Sequence, residues 1–108
     1  MRKVPIRFQE FTKNYPKVAT AYESLAGECR HCGPLSERDQ ALVKIGIAAG
    51  AQIEGQVHSQ VRKGLDIGLQ PDEIRHAILL SLTSIGFSRM MAAFTWAEDV
   101  LKEETKPR

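Results

Sequence analysis

The chain has 108 residues, 43% of them hydrophobic, with 15 Lys and Arg against 13 Asp and Glu and a formal net charge of +2. That length fits one domain spanning 1–108. The near-balance of interleaved charges argues against nucleic acid as a partner, and no apolar run is long enough for a signal peptide or a membrane span.

In chain order, the punctuation predicts helices and no strands. Pro16 suits a first helical position, and Val18, Tyr22 and Leu25 follow at helical spacing to a stop at Gly27. Gly33-Pro34 breaks the chain. Ser36 is then placed to cap a second helix, with Asp39 three residues on. Leu42, Val43, Ile45, Ile47 and Ala49 make this helix apolar on most sides, so it is expected at the centre, with Gly50 as its end. A third helix carries the seam Ile53, Val57, Val61 and Leu65 and stops at Gly68. Pro71 opens a fourth, with Asp72 and Glu73 in the first turn, running through Ile74, Ala77, Ile78, Leu82 and Ile85 to Gly86. Ser88 is expected to cap a fifth through Met91, Phe94, Ala97 and Leu101, followed by a frayed polar tail from Lys102. The fold class expected is all-α, a bundle of five or six helices. A small helical domain leaves apolar surface uncovered, which favours association of copies.

Two constellations bear chemistry. Cys29 and Cys32, the chain's two thiols, form a Cys-x-x-Cys with Arg30 and His31 between them. Residues three apart can satisfy disulfide geometry, so one thiol can attack an oxidant and the other resolve it. Arg30 and His31 favour a thiolate there, whereas the carbonyl end of the preceding helix opposes it. A Cys-x-His-Cys cluster supplies three zinc ligands and needs a fourth from elsewhere, and no metal ligand is assigned on that basis. Inert thiols are the third alternative. The other constellation is Glu54, His58 and Arg62, spaced by four on one helix face about 100° from the apolar seam. Glu54 and His58 read either as an acid–base pair or as an ordinary solvated stripe. Lys44, among apolar neighbours, is a candidate cation for a substrate carboxylate or a lysine reaching out to solvent. Gln56 and Gln60 flank the seam and are candidate substrate-binding donors, or satisfied contacts between subunits. Met90, Met91, Phe94 and Trp96 read as core or pocket wall.

From residue 34 to residue 101 the chain resembles the carboxymuconolactone decarboxylase family, which includes the alkylhydroperoxidase D-type enzymes. The stretches that carry this are Leu35-Ser36-Glu37-Arg38-Asp39-Gln40-Ala41-Leu42-Val43, Gly64-Leu65-Asp66-Ile67-Gly68-Leu69-Gln70-Pro71-Asp72-Glu73-Ile74 and Ile85-Gly86-Phe87-Ser88-Arg89-Met90-Met91. The resemblance implies an all-helical protomer assembling with copies of itself into a trimer or hexamer. It also implies a small-molecule substrate, with no cofactor expected; a cytoplasmic setting is expected instead from the lack of an apolar run suited to a signal peptide or a span. Redox members keep a Glu on the second helix and a Cys-x-x-Cys-x-x-x-His motif opening the third. Anchored on Leu35 and Gly68, that pattern falls on Ala41, Ile53, Gln56 and Gln60, so all four groups are replaced. A reading shifted by two residues places His58 at the family histidine and Glu54 at the second cysteine. The expectation is therefore peroxiredoxin-type thiol chemistry at a displaced Cys29–Cys32 pair, assisted by His58 or His31. Its alternatives are a thiol-independent lyase or isomerase using Glu54 and His58, and an inactive ligand-binding protein.

Overall fold

The computed structural model describes residues 4–105, with side chains to 103. Among them there are seven helical segments and no strand, so the all-α expectation holds. Two compact units divide the chain, one ending at Leu35 and the other beginning at Ser36.

The first unit is a helical hairpin of α1 (Ile6–Asn14) and α2 (Pro16–His31). The sequence reading places no helix at α1. Tyr15 separates the two helices at φ −130°, ψ 61°, because a residue before proline is pushed out of the right-handed helical region. Its own N–H closes α1 on the Phe11 carbonyl at 2.8 Å. Contrary to the expected stop, α2 runs through Gly27 to His31. Among the described glycines only Gly68 and Gly86 take positive φ, so Gly27 stays helical and carries the cysteine segment on as a last turn. No residue of either helix is buried; Val18, Tyr22 and Leu25 are all more than half exposed.

The second unit holds the core. It comprises α3 (Glu37–Ala51), α4 (Glu54–Asp66), α5 (Pro71–Leu79), the short α6 (Leu82–Ile85) and α7 (Phe87–Thr105). The Ser36 hydroxyl accepts the Asp39 N–H at 3.1 Å, as the capping pattern predicts. The end of α3 is not Gly50. Gln52 terminates it in the left-handed region at φ 58°, a conformation unusual for a residue with a Cβ. Its side chain helps to hold it there, donating to the carbonyls of Ala49 at 2.9 Å and of Arg89 in α7 at 2.8 Å.

Ile53 is the N-cap of α4 and is 55% exposed, so it is not part of the buried seam. Val57 and Val61 are buried as expected, and Leu65 packs partly against the core. Gly64 is the close-approach point: a Cβ there would lie 2.9 Å from Leu69 Cδ1 and 3.3 Å from Ile45 Cδ1. Gly68 stops the segment at φ 99°. The predicted fourth helix is split, because the chain turns at Leu80 and Ser81 between α5 and α6, and Gly86 at φ 91° then admits α7. That helix starts at Phe87, one residue before the expected cap at Ser88, and continues through the supposed tail to Thr105. Met90 is buried as expected, whereas Met91 is 39% exposed.

The core joins Ile45, Ala48 and Ala49 of α3, Val57 and Val61 of α4, Ile74 and Ile78 of α5, and Ala93, Ala97, Val100 and Leu101 of α7. Alanines at the α7 contact let α4 approach closely, which sets the site described below. Helix α3 is central but not covered all round, since Val43 and Ile47 are 49% and 61% exposed. Two polar clamps fix α5. Glu73 accepts the Gln70 N–H at 2.8 Å through Oε1 and the Arg38 guanidinium through Oε2. These two donors, Arg38 above all, hold its carboxyl below the usual glutamate range. Arg75 donates to both carboxylate oxygens of Glu98 on α7, at 2.6 and 3.4 Å.

Candidate functional site

The site starts from helical spacing. Glu54 is the first residue of α4 and His58 lies one turn further on, so both project from one face. Val57 and Val61 dock α4 against α7, and this turns the His58 face toward the C-terminal half of α7. There His58 Nε2 meets Asp99 Oδ2 at 3.0 Å. The imidazole is 23% exposed and the Asp99 side chain 53%. One ligand-capable atom from each of Glu54, His58 and Asp99 lies within 4.8 Å of the other two. An ionised carboxylate accepts hydrogen bonds and donates none, so in the neutral ring the 3.0 Å contact puts the proton on Nε2 and the lone pair on Nδ1. Sequence reasoning selected Glu54 and His58 and missed Asp99, which stands 41 residues from its partner. No local signal singles it out, since Glu98 and Asp99 stand side by side between Ala97 and Val100.

Cys29 and Cys32 belong to the first unit. Both are free and exposed. Cys29 is in the last turn of α2 and Cys32 is its C-cap, with the Cys32 N–H on the Cys29 carbonyl at 3.4 Å. His31 folds back through Nδ1 onto the Gly27 carbonyl at 2.7 Å, so this ring nitrogen is a donor that finishes the helix and Nε2 is the acceptor atom.

Lys44 and Gln56 are exposed and Gln60 is half-buried. None of the three lines either of two surface depressions in the second unit. The first, about 700 Å³, runs along α7 past Phe94, Thr95, Glu98 and Asp99 and so reaches the His58 partner. The other, about 630 Å³, is an apolar groove between α3 and α5, floored by Leu42, Gly46 and Ala77, with His76 and Glu73 among its lining residues. Nothing in the helical spacing marks His76 for a place in this groove.

The comparisons agree with this architecture. The model of the carboxymuconolactone decarboxylase family matches residues 16–99, and the chain belongs to that family. The match begins at α2, ahead of the stretch at 34–101 that carries the sequence resemblance. The fold is similar to the crystal structure of apo-lpg0406, a carboxymuconolactone decarboxylase family protein from Legionella pneumophila. The TM-score is 0.77 at 18% identity, over 94% of this chain and 89% of that one. No curated protein matches the sequence. No helix among the described residues is long and apolar enough to cross a membrane.

Proposed function

We propose that the protein catalyses cofactor-free proton transfer on a small carboxylate or lactone, as a lyase or isomerase, with His58 as the base. The observation that carries this reading is the His58–Asp99 pair, with Glu54 beside it. Nδ1 of His58 takes a proton from carbon next to a carbonyl, and the bonding pair moves into that carbonyl as an enolate. Asp99 offsets the charge of the resulting imidazolium and holds the ring in one tautomer. Return of the proton to a different carbon gives an isomer; where a carboxylate replaces that proton, loss of carbon dioxide leaves its bonding pair in the same enolate, which a protonated His58 then protonates on carbon, and the outcome is a lyase. Arg62, one turn beyond His58 and half-buried, supports an anionic substrate. The test is proton NMR in D2O with a panel of unsaturated carboxylates and lactones. Wild-type protein is expected to wash deuterium into at least one of them and His58→Ala to abolish this; exchange that survives in His58→Ala overturns the reading.

A second reading has its own support, since both thiols are free and reachable by solvent. A peroxide oxidises one thiolate to a sulfenic acid and leaves as the alcohol or water; the second thiol then displaces water to form the disulfide, which an external dithiol reduces. Mass spectrometry after mild peroxide treatment is expected to show loss of two hydrogens, reversed by dithiothreitol. Two thiols still free after treatment exclude it. Association of copies, as a trimer or hexamer, is part of the proposal and is supported by the exposed seam of α2 and by Val43 and Ile47 on α3.

A further inference from the structure

We propose that Glu54, His58 and Asp99 together bind a divalent transition metal of the zinc type. The donors are of the right kind: one imidazole nitrogen and two carboxylates, a set that suits zinc and its neighbours better than calcium or magnesium, which take oxygen throughout. Their placement also fits. Zinc bonds of about 2.0–2.1 Å put neighbouring ligand atoms of a tetrahedron about 3.3–3.4 Å apart. His58 Nε2 and Asp99 Oδ2 stand at 3.0 Å, and the Glu54 donor falls inside the same 4.8 Å limit.

His58 is held by the fold and the two carboxylates, both exposed, can adjust. His58 is only 23% exposed and its ring already points Nε2 at Asp99. Glu54 is exposed at the first position of α4, so its side chain can swing onto a metal without moving backbone. Two carboxylates and a neutral imidazole balance a 2+ ion. Three protein ligands leave a fourth position for water or substrate, the arrangement of an open site and not of a closed structural one. Asp99 also lines the depression along α7, through which an ion or a small anion can reach that position.

The metal and the hydrogen bond exclude each other. Coordination uses the Nε2 lone pair, whereas the hydrogen bond to Asp99 needs a proton on that nitrogen. Zinc is therefore expected to inhibit the proton transfer, a consequence that rests on the acid–base reading while the binding itself does not.

The test is titration of the full chain with Zn2+ by calorimetry and with Co2+ by visible absorption, in wild type and in a Cys29→Ser, Cys32→Ser background. One ion per chain is expected in both, with Co2+ d–d bands and no sulfur-to-metal charge-transfer band. His58→Ala and, separately, Glu54→Gln are each expected to weaken binding about tenfold or more. Glu54→Gln alters an exposed residue and so keeps the test open if His58→Ala fails to fold. Absence of binding in wild type, loss of binding with the thiols, or wild-type affinity in both site variants overturns the proposal. Failure to bind metal alongside intact, His58-dependent deuterium exchange removes the metal site alone. Binding without any exchange leaves it standing and removes the acid–base reading.

Discussion

Asp99→Asn is expected to slow deuterium exchange by about a hundredfold or more, within the range that general acid–base groups supply, while leaving the thermal transition almost unchanged. The side chain is 53% exposed, so little packing is at stake. What changes is the tautomer. The Asp99 carboxylate can only accept, and it therefore holds the proton on His58 Nε2. An amide can instead donate to Nε2, which moves the ring proton to Nδ1 and removes the lone pair the reaction needs. It also removes the negative charge that offsets the imidazolium. Kinetics as a function of substrate concentration separate this from a binding defect, because the loss should fall on kcat with KM little altered. Unchanged exchange in Asp99→Asn would show that His58 works without an orienting carboxylate.

The largest structural effect is expected at Ile78. This side chain is fully buried in α5 and packs in the core shared by α3, α4 and α7. Ile78→Ala is expected to cost about 2–5 kcal/mol, the transfer term plus the cavity left behind. For a domain of this size that lowers the melting temperature by roughly 10 °C or more. Val43→Ala on α3 is the matched control: at 49% exposure it should shift stability by less than about 0.5 kcal/mol in the isolated protomer. Equal losses at the two positions, measured by urea denaturation, would contradict the packing described. A marked loss at Val43 alone would place that side chain in a contact between copies.

The helices were legible in the sequence where a single local device decides them. Ser36, Pro71, Gly68 and Gly86 each act within a few residues, and each sits where its chemistry predicts. Terminations that depend on distant partners were not legible. Gln52 ends α3 in a conformation that glycine would favour, and one of the two bonds of its side chain goes to Arg89 on another helix, which no local pattern records. Gly27 and Gly50 failed as stops for the complementary reason. Glycine permits a left-handed turn without requiring one, and neighbouring helical residues carried the chain through. At the candidate site, spacing of four was enough to join Glu54 to His58. Asp99 was not predictable from spacing, because its contact arises from the docking of α4 on α7, and adjacent Glu98 is equally acidic but turns to Arg75.

The short Gln52–Ile53 link between α3 and α4 acts as an angular index. Each residue added or removed there would spin α4 by about 100° relative to a fixed docking line. Positions 58 and 60 lie about 200° apart around that cylinder, on opposite flanks of the Val57–Val61 contact. A histidine at 60 would therefore address a different neighbour from the one His58 meets. Moving an imidazole by two places along this helix would, in one small step, change which partner it answers to.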